Sequence, residues 1–446
     1  MTNPAAPQVD PATLRKVIVA AAIGNFVEWF DFAVYGFLAT TIALLFFPSG
    51  DPSVALLKTF AVFAVAFAFR PLGGIFFGML GDRIGRKRTL AMTILLMAAA
   101  TTLIGILPTY ASIGVMAPIL LTLIRCAQGF SAGGEYAGAC AYVMEHAPTD
   151  KRAWYGSFLP VSTFSAFATA AVVAYALEAT LSSQTMQSWG WRLPFLIAAP
   201  MGLIGLYLRS RLAETPAFQA VSDEHAVAHS PLKETLRHHA RPILCLGAFV
   251  SLTALSFYMF TTYFATYLQV AGGLTRATSL LVALIALLFA ALICPLAGAF
   301  SDKVGRRKTI ATTCALLIVV VLPAFLMASS GSFAASVLGV MLLAVGAVLS
   351  GVVTAALLSE VFPTRTRYTA SAITYNMAYT LFGGTAPLVA TWLISTTGSN
   401  LSPAFYLVAV SLLALMGGLA LPETSRISLH EVPSMDKART VQPLAE

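Results

Sequence analysis

Apolar residues in this chain come in long blocks, separated by short charged or Pro/Gly-rich breaks. The blocks run approximately over residues 17–46, 54–78, 89–108, 112–144, 153–178, 190–210, 241–270, 277–299, 309–328, 333–358, 368–394 and 403–421. A helix needs roughly 20 apolar residues to cross the hydrocarbon of a bilayer. Several blocks are longer, which predicts tilt or protrusion. Backbone groups in lipid must satisfy one another, so runs of this kind form helices. The pattern predicts an all-α membrane protein with twelve transmembrane helices.

Composition narrows the class. The chain has 446 residues, 58% hydrophobic and 10% charged, whereas a soluble globular chain carries about 25% charged residues. A soluble enzyme is excluded. The net charge of +8 would suit a nucleic-acid partner, but 22 of the 27 Lys and Arg lie in the termini and in the loops after even-numbered spans. Cytoplasmic loops collect such residues. Both termini are therefore expected in the cytoplasm, and no nucleic-acid partner is expected. The five cysteines lie in apolar runs without a CxxC pair, and read as small buried hydrophobes with no disulfide framework or metal site. The first apolar run is too long and too acidic for a cleaved leader and is expected to be kept as a helix.

An internal repeat organises the chain. "GMLGDRIGRKRTL" (78–90) returns as "GAFSDKVGRRKTI" (298–310), and "EHAPTDKR" (145–152) as "EVFPTRTR" (360–367). Each copy falls at the matching loop of its half. Two repeated six-helix halves form a transporter architecture. The reading divides the chain into a bundle over 1–211, a cytoplasmic linker over 212–240, a second bundle over 241–425 and a short cytoplasmic tail over 426–446. The linker histidines His225, His229, His238 and His239 are expected to be solvated.

The 78–88 pattern resembles the signature loop of the major facilitator superfamily. Within it, "GNFVEWFDFAVYGF", "RPLGGIFFGMLGDRIGRK", "QGFSAGGEYAGA" and "WGWRLPF" resemble the metabolite–proton symporters, most of all those for proline and glycine betaine. Permeases for 2-oxoglutarate, citrate and shikimate come next. The resemblance implies a major facilitator fold of two pseudo-symmetric six-helix bundles. It also implies alternating access driven by the proton gradient, with no cofactor. Gly78, Asp82, Arg83, Gly85, Arg86, Lys87, Glu145, Asp302 and Arg306 would then form the gate, with Asp82 docked on the start of the eleventh helix. Residues 422–446 lack the heptads of the osmosensing members' coiled coil, so osmotic activation through such a coil is not expected.

The spans themselves carry chemistry. In the first, Gly24, Glu28, Asp31 and Tyr35 fall on one helical stripe, with Trp29 and Phe32 off it. A charge at mid-bilayer costs several kcal/mol and should face the bundle interior. The stripe is the expected cavity face. In the fourth span Arg125 and Gln128 share a face, which Tyr136 continues, and Glu135 follows. Arg125–Asp31 or Arg125–Glu28 pairing is expected. Three acids against one base leave at least one able to hold a proton near neutral pH, Asp31 and Glu135 being the first choices. Arg70 is read as snorkelling toward the cytoplasm. The second half offers Tyr258, Thr262, Tyr263 and Tyr267 in the seventh span and Tyr375, Asn376 and Tyr379 in the eleventh.

Glu28, Asp31, Arg125 and Glu135 are thus the candidates for proton coupling. Tyr35, Gln128, Tyr136, Tyr263, Tyr267, Tyr375, Asn376 and Tyr379 are the candidates for the solute cavity. Aromatic faces suit a quaternary ammonium and Arg125 a carboxylate, a combination that fits a zwitterion better than a dicarboxylate. The glycine-rich stretch of drug–proton antiporters is missing from the fifth span, and a uniporter would not need buried acids. The spans hold no histidine and no catalytic cluster. The expectation is a symporter of the bacterial inner membrane, not an enzyme, working as a monomer on a small solute and protons within membrane lipid.

Overall fold

Twelve long helices follow one another: α1 (Pro11–Phe37, prolonged by Ala39–Phe46), α2 (Pro52–Ile84), α3 (Arg86–Ile106), α4 (Met116–His146), α5 (Phe158–Thr180) and α6 (Leu193–Ser210), then α7 (Ala240–Tyr258), α8 (Arg276–Val304), α9 (Arg306–Ala328), α10 (Phe333–Glu360), α11 (Arg367–Ala378) and α12 (Ser402–Leu419). The computed structural model describes residues 11–48, 52–210, 214–215, 218–219, 231–427 and 429. Ten stretches among these are long and apolar enough to cross a bilayer. The set is completed by α6 and by α4, whose hydropathy is diluted by the polar run 125–136.

Three spans depart from a plain helix. A short helix, Arg152–Gly156, precedes α5. The seventh span passes through a π-helical turn, Met259–Tyr263, before Phe264–Val270. The eleventh does the same at Tyr379–Gly383 before Ala386–Thr397. A π turn inserts one residue and rotates all that follow about the axis.

The halves are built alike. In the first, α2 packs on α4, α3 on α4 and α6, and α1 on α5 and α6; in the second, α8 packs on α10, α9 on α10 and α12, and α7 on α11 and α12. The halves meet along two seams, α2 against α11 and α5 against α8. These seams are equivalent, each joining the second helix of one half to the fifth of the other. The α2–α4 crossing is closed by small residues. A Cβ on Gly129 would lie 1.9 Å from Ala66 O, and one on Gly133 2.1 Å from Arg70 O. Backbones approach this closely only without side chains.

Both signature loops turn on a glycine of positive φ, Gly85 at 102° and Gly305 at 92°, where a Cβ would be strained. The helices that follow are capped from afar. Glu214 accepts the N–H groups of Arg86 (3.1 Å) and Lys87 (3.2 Å). Glu423 accepts those of Arg306 (2.8 Å) and Arg307 (3.0 Å). The next residues, Thr215 and Thr424, donate to Glu145 (2.5 Å) and Glu360 (2.8 Å). A Glu-Thr pair thus closes each half, a third repeat that the short identity of 214–215 and 423–424 had concealed in the sequence.

Burial alone would raise the Glu423 carboxyl, but the N–H groups of Ser425, Arg306 and Arg307 outweigh it and hold the group below its ordinary value. A depressed carboxylate stabilises fully above its unfolded value, about 4.3, and loses that contribution as pH falls through the folded value. Glu423 is exposed, so solvent screens the gain, and Glu423→Gln should cost only about 0.5 kcal/mol at pH 7 and nothing in more acid solution. Thermal denaturation at the two pH values checks this.

The linker and tail are described only in part; His225, His229 and residues 430–446 lie outside the described residues. His238 is exposed. His239 is not solvated as expected: it is buried, with its ring 6.2 Å from that of Phe362, because α7 starts immediately after it.

Candidate functional site

Three polar clusters are built on helices of the first half, the second of them reaching α11. The first joins α1 to α4. Arg125 Nη1 donates to Asp31 Oδ2 (3.2 Å) and to Gln128 Oε1 (2.8 Å), while Gln128 Nε2 donates to the same Asp31 oxygen (2.7 Å) and to Thr101 Oγ1 (2.9 Å). The Arg125 guanidinium lies 4.2 Å from the centre of the Tyr35 ring, and Tyr35 donates to Thr59 O on α2 (3.1 Å). All are buried. Tyr35 and Gln128, expected along the solute cavity, instead complete the shell of this ion pair. The i, i+3 spacing of Arg125 and Gln128 aims both at α1 and leaves neither for the centre.

The second cluster joins α1, α2 and α11. Arg70 Nη2 lies 3.4 Å from Glu28 Oε1, and Arg70 Nε donates to Asn376 Oδ1 (3.3 Å). Asn376 Nδ2 donates in turn to Gly133 O (2.6 Å). Arg70 does not snorkel; it is fully buried. The reason is its company, an acid and an amide on neighbouring helices plus the rings of Trp29, Phe32 and Phe67 at 5.5–5.6 Å. Partnered in this way, a guanidinium need not reach water.

Aromatic residues of both halves close around Arg70. Trp29 faces Phe257 at 5.1 Å and Tyr379 at 6.5 Å, and Tyr258 faces Phe67 at 5.6 Å and Tyr379 at 6.1 Å. Tyr375 stacks between Tyr379 (4.0 Å) and Tyr136 (4.5 Å). The face of α1 turned to the second half is therefore that of Trp29 and Phe32, one residue round from the expected stripe. Asp31 points into its own bundle, while Glu28 points to Arg70 beside the seam with α11. Asn25, not singled out in the sequence, fixes the indole. It accepts from Trp29 Nε1 (3.2 Å) and donates to Ser162 and Thr163 of α5, each at 2.8 Å.

Tyr263 and Tyr267 are not brought to this centre. Tyr267 packs on Phe264 and Phe325 and donates to Phe325 O (3.4 Å), with Tyr263 beside it at 6.1 Å. The π turn at Met259–Tyr263 rotates them away, leaving Phe257 and Tyr258, which precede it, at the centre. Thr262 is exposed.

The third cluster corrects another expectation. Glu135 bonds to the Thr93 hydroxyl of α3, not to Arg125, and Ser131 donates to Thr93 O (2.7 Å). Gln128 already occupies the turn of α4 that faces Asp31, and Glu135 lies two turns beyond it. Glu135 and Glu28 nonetheless line one narrow cleft, together with Gly24, Val27, Thr93, Ile94, Met97 and Ser131.

At the signature-loop end the halves are tied twice. Asp82 accepts the N–H groups of Tyr368 (3.2 Å) and Thr369 (2.8 Å), at the N-terminus of α11 where a carboxylate is favoured. Arg86 bonds Gly81 O (2.9 Å) and crosses to Thr364 O (2.8 Å), and Glu145 crosses to Arg367 (2.7 Å). In the equivalent arm Asp302 accepts the N–H groups of Ala153 (3.0 Å) and Trp154 (2.8 Å), at the start of the helix before α5. Arg306 holds Asp302 (3.0 Å) and Glu360 (2.9 Å). Gly78 packs on Thr369, and its repeat Gly298 on Ala153 and Trp154. Lys87 enters only through its backbone, and the Arg83 side chain is exposed.

Two repeated bundles of spanning helices, buried ion pairs inside them and polar ties between the halves at one end define a polytopic transporter rather than an enzyme. The chain belongs to the Major Facilitator Superfamily, whose model matches residues 21–387. It is an integral membrane protein. Over 427 residues it is 39% identical to the proline/betaine transporter of Salmonella typhimurium, covering 94% of this chain and 85% of that protein. The glycine betaine/proline/ectoine/pipecolic acid transporter OusA of Dickeya dadantii is 38% identical with the same coverage. The ectoine/proline transporter ProP of Corynebacterium glutamicum is 39% identical over 432 residues, 94% of this chain and 86% of that one. In fold the chain resembles the proton:xylose symporter XylE bound to 6-bromo-6-deoxy-D-glucose, with TM-score 0.75 and 17% identity over 95% of this chain and 99% of that one.

Proposed function

We propose that this transporter takes up a small zwitterion, proline or glycine betaine first, together with protons. The observation that carries the reading is the buried Glu28–Arg70 pair between the halves, enclosed by Trp29, Phe257, Tyr258 and Tyr379. A guanidinium offers a carboxylate two donors, and aromatic faces attract a quaternary or secondary ammonium. The relatives' names, which include proline, betaine and ectoine, support the same class. A carboxylate such as 2-oxoglutarate, citrate or shikimate is the second reading. It is weaker because a second cation near the centre would be needed, and Arg125 there is already held by Asp31 and Gln128.

Glu28, Asp31, Arg125 and Glu135 form the proton-coupling set. The halves, 1–211 and 241–425, rock about the central site, joined by the 212–240 linker. The positive-inside pattern puts both termini and the signature-loop end in the cytoplasm of a bacterium's inner membrane. The two polar arms are then a shut inner gate, built from Gly78, Asp82, Gly85, Arg86, Glu145, Asp302 and Arg306. The protein works as a monomer, without a cofactor.

Reconstituted in liposomes with an inward proton gradient, the protein should accumulate labelled proline. Accumulation should collapse with an uncoupler, and glycine betaine should compete where 2-oxoglutarate does not. Equal accumulation without the gradient would remove proton coupling, and competition by dicarboxylates alone would favour the second reading.

A further inference from the structure

Glu28 occupies Arg70 in the way a solute carboxylate would. Their pair is long, 3.4 Å, and uses one guanidinium nitrogen. Asn376 takes Nε at 3.3 Å, while among the described residues Arg70 Nη1 makes no hydrogen bond and neither does the buried Tyr258 hydroxyl. That hydroxyl lies close enough to act electrostatically on both Arg70 and Glu28. The guanidinium therefore keeps an unused donor, with a phenol near it and aromatic rings around it.

A buried guanidinium pairs with one anion at a time at small cost; two carboxylates on it would bring a second uncompensated charge into low dielectric. Glu28 also lines, with Glu135, a narrow cleft that Arg70 does not border.

We propose that Glu28 is the residue that exchanges Arg70 for a proton: the solute's carboxylate takes over the guanidinium as a proton from water enters the Glu28 carboxylate. This rests on the zwitterion reading above and names the step that couples it. One proton moves onto one Glu28 oxygen and the Glu28–Arg70 contact breaks. The solute carboxylate makes the replacing contact, and its ammonium is held by Trp29, Phe257 and the tyrosines. The loaded site carries one charge more than the empty one, so each cycle moves one positive charge inward with a zwitterion.

Several charged or titratable groups besides Arg70 surround Glu28. They are Glu135 of α4 across the cleft, Tyr258 of α7, Tyr379 of α11 and, one turn along its own helix, Asp31 with its partner Arg125. The neighbouring α3 presents neutral Thr93 to the cleft, and α5 presents neutral Ser162 and Thr163 to α1. Arg70 opposes protonation, and the solute's arrival removes that opposition.

Solute binding to purified protein in detergent, measured with labelled proline between pH 5.5 and 8.5, tests this. Wild-type affinity should weaken about tenfold per pH unit once Glu28 must be protonated to make room. Binding in weakly buffered solution should take up one proton per proline. Glu28→Gln, which mimics the protonated acid, should bind with affinity independent of pH, and Arg70→Gln should lose at least about 100-fold at every pH. Circular dichroism and gel filtration establish that each variant is folded. A wild-type slope kept by Glu28→Gln, binding without proton uptake, or near-normal binding by Arg70→Gln would each overturn the exchange. So would a folded Glu28→Gln that binds at no pH, because the solute would then sit between Glu28 and Arg70. If wild-type protein binds no zwitterion at all, the zwitterion reading itself has failed.

Discussion

Gly78→Val is expected to stop transport while leaving the protein folded and inserted. A Cβ at Gly78 would lie 2.8 Å from Thr369 Cα and 3.3 Å from Thr369 N. The obstacle is backbone at the first turn of α11, which cannot swing aside as a side chain could. To admit valine the seam must open, and the Asp82 bonds to Tyr368 and Thr369 are lost with it. Overpacking of this kind costs roughly 1–3 kcal/mol, and each charge-assisted bond about 1.5–3 kcal/mol. The gate-closed state should lose on the order of 4 kcal/mol in all, a shift of about a thousandfold in the closed-to-open ratio. Uptake should become undetectable, and a cysteine placed along the seam should be labelled by a membrane-impermeant reagent from the signature-loop side. Gly298→Val should behave alike, because its Cβ would meet Trp154 Cα at 2.7 Å. Normal uptake by both variants would mean that neither seam has to close during the cycle.

Asp31→Asn should lower gradient-driven accumulation by at least about 100-fold and leave solute exchange in place. It removes the only anion within salt-bridge reach of Arg125 among the described residues. A buried charge stripped of its partner costs about 3–5 kcal/mol, so the melting temperature should fall as well. Solute loading at Glu28 and Arg70 does not involve Asp31, so exchange persists; net uptake also requires the proton to be released, a step the Asp31–Arg125 pair would serve. Adding Arg125→Gln should restore thermal stability, because a neutral pair replaces a lone charge, but should not restore accumulation. That separation tells coupling from folding. Proton-driven uptake at the wild-type level in Asp31→Asn would dismiss the pair from coupling.

The sequence carried the fold well because bilayer physics leaves few options. Apolar blocks of spanning length must be helices, and the 78–90 and 298–310 repeat marks the duplication. It carried the site less evenly. Asp31 and Arg125 meet because the stripe on α1 and the Arg125/Gln128 face of α4 are both strict helical spacings. Arg70 was misplaced because its position along the span says nothing about which neighbours it finds; Glu28 and Asn376 lie 42 and 306 residues away. Tyr263 and Tyr267 were misplaced for a different reason. They share a helical face, but the π turn at Met259–Tyr263 carries that face away from Phe257 and Tyr258. Glu135 was assigned by charge alone, and a threonine supplied the partner.

The two polar arms at the signature-loop end have a consequence for how the molecule is made. Asp82 belongs to the first half and caps a helix of the second; Asp302 belongs to the second and caps the helix before α5 in the first. Each bundle thus lends its partner the group that finishes a helix end, so neither is chemically complete alone. During synthesis the first bundle must wait in the bilayer with that helix end unfinished until the second has been inserted. A chain severed in the linker should still assemble, because the halves recognise each other by what each lacks.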